Sequence, residues 1–250
     1  SYKCLGRLRW EDYEYTTIAS NTIIILQGGG NFGDLWRGAT EARNEVIKQY
    51  PNNKILILSQ TITYTDKKLL RHDAKLCAEH KDLHICARDK ESYEVAKKYF
   101  GTNYVYMLPD TAIGLYPSLP KYKGAKTKCT LIMNRRDKEA DVLFHEDGDV
   151  KDWEEILRDI HFNIVYGPYK IIRKVRKIAH MSAMHKWENC YALRVLYPYV
   201  RKKIPWYFMQ YDYVKTTRLH GYLLASMMHI PVEVKDNKNN KTTHYINTWM

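Results

Sequence analysis

Nowhere in these 250 residues is there an apolar run near the ~20 residues that a membrane-spanning helix needs. A signal-peptide pattern is also missing, and the chain opens in polar text without an initiator Met, which fits a fragment or a processed chain. Cysteine is scarce and unpatterned. Cys4, Cys77, Cys86, Cys129 and Cys190 are odd in number, widely spaced and free of any CxxC pair. That excludes a zinc knuckle and a disulfide framework, and predicts reduced thiols in a cytosolic protein. Phenylalanine is rare, with 5 against 21 Tyr and 6 Trp, so the aromatic surface is of the amphipathic kind that lines half-wet clefts or the edges of a core. Acidic residues are short as well. The 28 Asp and Glu against 40 Lys and Arg leave a net charge of +12, which favours anionic partners: phosphorylated substrates, an anionic membrane surface or nucleic acid. The basic residues are scattered, with the densest run at Lys170 to Lys177, and no nucleic-acid-binding signature accompanies them. Nucleic acid is therefore not expected as a partner.

What is present is an alternation of buried strands and amphipathic helices. Thr22 to Leu26 is a continuous run of the kind that is buried on both faces. Leu35 to Tyr50 reads as a helix and Lys54 to Gln60 as a second strand, which makes a parallel βαβ unit. Lys67 to Lys81 (helix), Leu83 to Arg88 (strand), Glu91 to Phe100 (helix) and Tyr104 to Leu108 (strand) continue the series. Ser118 to Gly124 is a polar, turn-rich linker. Beyond it, Cys129 to Asn134 and Phe162 to Tyr166 read as strands, and Val150 to Ile160 and about 171–180 and 184–201 as helices. A strand at Arg-Leu-His-Gly, a helix over Leu223 to His229 and a strand at Pro231 to Val234 follow. The expected architecture is α/β, with two Rossmann-like, doubly wound domains, residues 1–120 and 125–250, facing a cleft.

The segment Val214 to Ala225 sets a permanent cation, Arg218, two residues from a titratable imidazole, His220, at a strand-to-helix junction. A guanidinium grips carboxylate or phosphate in a bidentate fork, and imidazole exchanges a proton near neutral pH. The pair suits a small, doubly anionic substrate whose reaction needs a proton. Gly28-Gly29-Gly30-Asn31-Phe32-Gly33-Asp34 satisfies G-x-G-x-x-G after a strand. The next strand ends in Ser59-Gln60, however, without the acid that would hold a ribose hydroxyl, so a dinucleotide is not expected. The segment then reads either as a glycine turn cradling an anion or as a tight strand–helix turn capped by Asp34. Ala87-Arg88-Asp89 stands at a strand's C-terminal end, where ligands gather in open α/β sheets. Arg88 is an anion ligand there or one half of a surface pair, and Asp89 orients it or caps the next helix. Pro109-Asp110 reads as a turn or cap. Asn134 to Glu139 places Arg135 and Arg136 at another strand end, either toward an anionic ligand or in a solvated loop, and Asp236 to Lys241 reads as a turn.

Taken together and in this order, these elements resemble the polysaccharide pyruvyl transferase family. The resemblance is carried by Gly28 to Trp36, Ser59-Gln60-Thr61-Ile62, Ala87 to Tyr93, Pro109-Asp110, Arg135 to Glu139, Arg218 to Gly221, Asp236 to Lys241 and the Tyr-x-x-x-Trp of Tyr245 to Trp249. It covers about residues 22–250, and departs from the family's pattern in two places. The usual opening strand and Gly-Asn-x-Gly-Asp turn are absent upstream, which predicts an incomplete first domain, and threonines (Thr216, Thr217) stand where an acid commonly precedes Arg-Leu-His-Gly.

The resemblance implies the two-domain glycosyltransferase type B arrangement. It also implies transfer of a pyruvyl group from phosphoenolpyruvate to a sugar of a cell-surface polysaccharide or its lipid-linked precursor, forming a ketal and releasing phosphate. Phosphoenolpyruvate is donor substrate, and neither cofactor nor metal is expected. Under that reading Arg218, His220 and Asp34 are catalytic, with His220 either protonating the enol carbon or stabilising the departing phosphate, and Asp34 (or Asp89) receiving the hydroxyl proton. Arg88, Lys241, Gly29, Gly30, Asn31, Arg135 and Asp89 bind substrate. The expected location is cytoplasmic, against the inner face of an anionic membrane. Two alternatives stand beside it: a nucleotide-sugar-dependent glycosyltransferase of the same form, and a catalytically silent glycan-binding relative.

Overall fold

The computed structural model describes residues 17–101, 104–124, 128–145, 147–179 and 184–250. Cys4 and the polar opening segment lie outside them. The chain divides into two compact units. One takes in Leu115–Asn237, and the other runs up to Gly114 and then recovers Lys238–Met250.

In the latter unit the strands are β1 (Ile24–Leu26), β2 (Gly29–Gly33), β3 (Ile55–Thr63), β4 (Leu83–Ala87) and β5 (Tyr104–Met107). They form one parallel sheet in the order β1-β3-β4-β5, with β2 also paired to β3. The helices between them are α1 (Arg37–Gln49), α2 (Lys67–Ala78) and α3 (Lys90–Tyr99). Parallel strands need such crossovers, and coverage by them explains why β3 reads as a continuous apolar run. Ile55, Ile57, Ile85, Ala96 and Phe100 are fully buried between the layers, and each large side chain contributes about 1.5–3 kcal/mol by leaving water.

The glycine-rich segment corrects one expectation. Gly29–Gly33 is not a turn leading into a helix but a strand, with Gly29 opposite Gln60 and Phe32 opposite Ile62. Phe32 is the reason. Its ring is buried edge-on against Phe100, 5.3 Å between centroids, and beneath the Arg43 guanidinium, which demands extended backbone on either side of it.

The other unit holds β6 (Lys128–Met133), β7 (Asp149–Lys151), β8 (Tyr211–Thr216) and β9 (Val232–Val234), parallel in the order β7-β6-β8-β9. Its helices are α4 (Trp153–Asp159), α5 (Asn163–Ala179), α6 (Met184–Tyr191), α7 (Tyr197–Phe208) and α8 (Leu219–Met227), with a π-helical stretch, Ala192–Leu196, between α6 and α7. The predicted helix over 150–160 is split. Val150 belongs to β7, and Asp152 with Glu155 forms a capping box that starts α4 only afterwards.

The predicted strand at Phe162 to Tyr166 is instead the entry of α5. Val165 and Tyr169, four residues apart, share a helix face and pack on Ala192 and Leu196, so the helical period outweighs the short apolar run. Arg218 begins α8 rather than lying within a strand. The turn read at Asp236 to Lys241 is present, at residues 238–239, and the segment after it, assigned to the second domain, is helix α9 (Lys241–Trp249), which belongs with the first sheet.

Among the described residues, Cys77, Cys86, Cys129 and Cys190 form no disulfide, and burial pushes the Cys77 thiol up to about 12. No helix among those residues is long and apolar enough to cross a membrane.

Candidate active site

In the first sheet the conserved geometry of open α/β proteins puts the ends of β3, β4 and β5 beside one another. Arg88 follows β4 and is only 2% exposed, its backbone N–H donating to the Gln60 carbonyl at 3.0 Å. Its guanidinium is aimed by two neighbours. Nε donates to Thr61 Oγ1 at 2.8 Å, and Nη1 to Asp110 Oδ2 at 2.6 Å. Asp110 is itself held, its Oδ1 accepting from the Ala112 N–H at 2.9 Å and its own N–H reaching Tyr245 Oη at 3.4 Å. Trp249 Nε1 donates to the Arg88 carbonyl at 2.8 Å. Helix α9 therefore supports the Arg88 loop through both aromatics of the Tyr-x-x-x-Trp pair.

The third guanidinium nitrogen, Nη2, points to the glycine strand. A methyl group built on Gly30 would sit 3.0 Å from Arg88 Nη2 and 3.1 Å from Lys241 Nζ, and Lys241 Nζ donates to the Gly30 carbonyl at 2.6 Å. Gly30 thus lies where the two cations converge, and any side chain there would displace one of them. Lys241 is placed by the left-handed Asn240, φ 46°, which turns the chain into α9. The structure brings together Arg88, Gly30 and Lys241, which are far apart in sequence.

Asn31 is exposed, and its Oδ1 accepts from Arg43 Nη2 at 3.1 Å. Arg43 is 7% exposed, and burial pulls its pKa down to about 10. Arg43, Thr61 and Asp110 were not among the predicted site residues. The Pro-Asp dipeptide and the Thr of the Gln-Thr-Ile strand end were visible in sequence, but nothing in sequence coupled them to Arg88.

The two carboxylates expected as bases are both engaged. Asp89 is fully buried. Its Oδ1 accepts from the Ser92 N–H and its Oδ2 from Thr61 Oγ1, both at 2.8 Å, and it caps α3. Asp34 Oδ2 accepts from the Thr65 N–H, the Thr65 hydroxyl and the Asp66 N–H at 2.6–2.7 Å. Partial burial raises its pKa, but those hydrogen bonds outweigh it and hold the carboxyl below the ordinary 3.8. Asp34 ties the strand end to the approach of α2, and the cap of α1 is Trp36 instead. Among the described residues Asp89, Glu91 and His244 each bring one potential metal-ligand atom within 4.8 Å of the others, although Asp89 already spends both oxygens as described.

In the second sheet Arg218 ends the β8 edge of a charged cluster. Its Nε donates to Asp152 Oδ1 at 2.9 Å, Nη2 to Asp152 Oδ2, and Nη1 to Asp137 Oδ2 at 2.8 Å. Desolvation lowers its pKa, but the two carboxylates more than compensate and raise it. Asp137 is shifted the other way: burial raises its pKa, and hydrogen bonds from Arg135, Glu139 N–H and Arg218 bring it below the ordinary range. Arg135 donates from Nε to Asp137 Oδ1 at 2.8 Å and pairs with Glu139, while Arg136 pairs with Glu155. Arg135 is therefore spent on its own loop rather than presented outward. Asp152 and Asp137 were missed as partners, although the capping box around Asp152 was a readable signal. His220 stands exposed in the first turn of α8, two residues past Arg218. Gly221 lets that helix lie close to the sheet, since a Cβ there would come within 2.6 Å of Thr216 Oγ1 and 2.9 Å of Met133 Sδ.

A family model described as polysaccharide pyruvyl transferase matches residues 1–239. The chain belongs to the polysaccharide pyruvyl transferase family. EpsO of Bacillus subtilis (strain 168), whose name provisionally makes it a pyruvyl transferase, is 31% identical over 98% of this chain and 75% of its own length. Pyruvyl transferase 1 of Schizosaccharomyces pombe (strain 972 / ATCC 24843) is 28% identical over 91% of this chain and 54% of its own length. A solved structure from Klebsiella pneumoniae subsp. pneumoniae NTUH-K2044 shares the fold, with a TM-score of 0.53 at 19% identity, over 94% of this chain and 74% of that one. In this pyruvyl transferase family member the matched region stops just short of Lys241, so the second cation at Gly30 comes from beyond it.

Proposed function

We propose that this chain transfers the pyruvyl group of phosphoenolpyruvate to two hydroxyls of a saccharide, forming a ketal and releasing phosphate. The observation that carries the reading is the convergence of Arg88 Nη2 and Lys241 Nζ on Gly30 at the C-terminal end of a parallel sheet. Phosphoenolpyruvate carries a carboxylate and a phosphate, and fixed cations beside bare backbone suit such an anion. Arg88, Lys241, Gly29, Gly30 and Asn31 are assigned to it. Arg218 keeps two N–H groups beyond those given to Asp137 and Asp152, and is assigned to anion binding as well.

His220 is assigned the proton transfer. As imidazolium it protonates the enol methylene while a sugar hydroxyl bonds to C2; the imidazole left behind takes that hydroxyl's proton. The second hydroxyl then bonds to C2 as the C2–O bond to phosphate breaks, and its proton leaves with the phosphate. Asp34, held below the ordinary carboxylate range, is a weak base and is assigned to positioning the strand end. Arg135, bound to Asp137 and Glu139, supports Arg218 through their shared Asp137.

The type B glycosyltransferase arrangement belongs to the same proposal and is supported by two parallel sheets, one in each unit. So does a cytoplasmic location with a lipid-linked acceptor, supported by the unpaired thiols and the positive charge. The test is incubation with phosphoenolpyruvate and candidate galactosides or mannosaminides, reading phosphate release and the acceptor's mass. The expected result is acceptor-dependent phosphate release with a pyruvate ketal on the sugar. Saturable binding of nucleotide sugars alone, with no adduct, overturns it.

A further inference from the structure

The segment from α5 to α7, residues 163–208, concentrates the charge of the whole chain. It holds ten Lys and Arg (170, 173, 174, 176, 177, 186, 194, 201, 202 and 203) against one acid, Glu188, so nine of the twelve net positive charges lie in it. The one acid is not at the surface. Glu188 is buried, accepting from Arg176 Nε and Tyr169 Oη at 2.8 Å, inside the contact between α5 and α6. The exterior of this helical pair is left basic.

It is also apolar where a soluble helix is ordinarily polar. On α5, Val165 and Tyr169 face the interior, while Ile164, Pro168, Ile171 and Val175, spaced by four, three and four residues, line up on the outside. Ile164 is 69% exposed and Ile171 is 65% exposed. Lys170 and Lys174 are exposed on the same helix. The following helices expose Trp187 (72%), Leu193 and Trp206 (55%), with the Lys203 ammonium 5.4 Å from the Trp206 ring. An α-helix with an outward apolar stripe beside lysines, and tryptophans on the adjoining helices, has the composition of a segment lying in a membrane interface.

We propose that the α5–α7 face docks the protein on an anionic lipid bilayer, with Ile164, Ile171, Trp187 and Trp206 entering the interface and the lysines and arginines on its headgroups. Charge selects this occupant over a second copy of the chain, because a symmetric contact would bring two such basic faces together. The docking would place the catalytic units beside a lipid-linked sugar, and in that respect alone rests on the function proposed above.

The test is co-sedimentation of the full chain with vesicles of phosphatidylcholine alone and of an equimolar mixture with phosphatidylglycerol, at low and high salt. Two double variants at exposed positions accompany it: Ile171→Asp with Trp187→Ser, and Lys170→Glu with Lys174→Glu. Their circular dichroism is expected to match the parent. Wild type is expected to sediment with the mixed vesicles only, and less at high salt, and each variant pair to lower the bound-to-free ratio at least about tenfold. Failure of wild type to sediment at low salt overturns the proposal. So does sedimentation untouched by both pairs, or duplex DNA binding that is as strong and is lost with the same substitutions. Turnover on a water-soluble acceptor is expected to be equal in all three proteins. Sedimentation without any pyruvyl transfer leaves the docking intact and removes only the function reading.

Discussion

Arg88 and Arg218 occupy equivalent places, each just past the C-terminal end of a parallel strand, but their surroundings differ. Arg88 is the more deeply buried. It touches one carboxylate directly, Asp110, reaches Asp89 only through the Thr61 hydroxyl, and turns its remaining nitrogen toward Gly30 and a second cation. Arg218 is half-buried and straddles two carboxylates, in a cluster where three arginines meet Asp137, Glu139, Asp152 and Glu155. A cation beside another cation attracts an incoming anion, whereas one enclosed by carboxylates is already neutralised. The same residue type at the same topological position thus faces a second cation in one sheet and two carboxylates in the other, and under the proposed function Arg88 carries more of the anion binding than Arg218.

The largest expected effect lies at the buried pair. Asp110→Ala leaves the Arg88 guanidinium buried beside Lys241 with its direct carboxylate gone, and is expected to destabilise the protein by about 3–5 kcal/mol in denaturant unfolding. A loss no larger than that of a surface substitution would show that Arg88 is better solvated than its 2% exposure indicates.

Next comes the division of labour. Lys241→Ala, which takes away one charge-assisted contact, is expected to raise the KM for phosphoenolpyruvate by about 10–100-fold, equivalent to roughly 1.5–3 kcal/mol. Arg218→Ala is expected to act more on kcat and on thermal stability, since it leaves Asp137 and Asp152 facing each other. Equal KM effects at both positions would erase the distinction between the two arginines.

Asn31→Asp separates binding from support. The Arg43 hydrogen bond directs the Asn31 carbonyl oxygen inward and leaves its NH2 as the outward donor. An aspartate would pair with buried Arg43 and is expected to keep or raise the unfolding temperature, yet to weaken phosphoenolpyruvate binding about tenfold by replacing a donor with a negative charge. Unchanged affinity would confine Asn31 to packing.

The smallest effect concerns pH. The Asp34 carboxyl has a folded pKa below its ordinary 3.8, so its stabilising contribution is complete above that value and is lost as pH falls through the folded pKa. Asp34→Asn is expected to be slightly less stable than the parent at neutral pH, with the gap closing below the carboxylate range. A gap independent of pH would mean that geometry rather than charge holds the Thr65 and Asp66 N–H groups.

Much of the fold was legible because strands of a parallel sheet announce themselves as short apolar runs, as at Ile55 to Leu58, where Ile55 and Ile57 are fully buried. The errors fell where two periods fit one segment. Phe162 to Tyr166 has the composition of a strand, but Val165 and Tyr169 only find partners, Ala192 and Leu196, as a helix. The glycine strand was hidden because glycine carries no periodic signal, and the burial of Phe32 alone declared it. Among the candidate site residues, Arg88, Lys241, Arg218 and His220 were singled out from residue chemistry and motif order, and the structure gives their placement without testing their roles. Asp110, Asp137, Asp152 and Arg43 were not, since a carboxylate or guanidinium becomes a partner only through contacts between residues 12 to 81 positions apart.

By itself, then, the sequence determined the α/β class, the family, the strand ends at which chemistry could sit and the identity of the cations. These follow from local patterning and side-chain chemistry, which chain folding does not alter. The tertiary structure alone decided what each cation is worth. It returned Lys241 to the first sheet beside Arg88, enclosed Arg218 between two aspartates and engaged Asp34 and Asp89 elsewhere, because electrostatic character depends on distance and burial rather than on residue type.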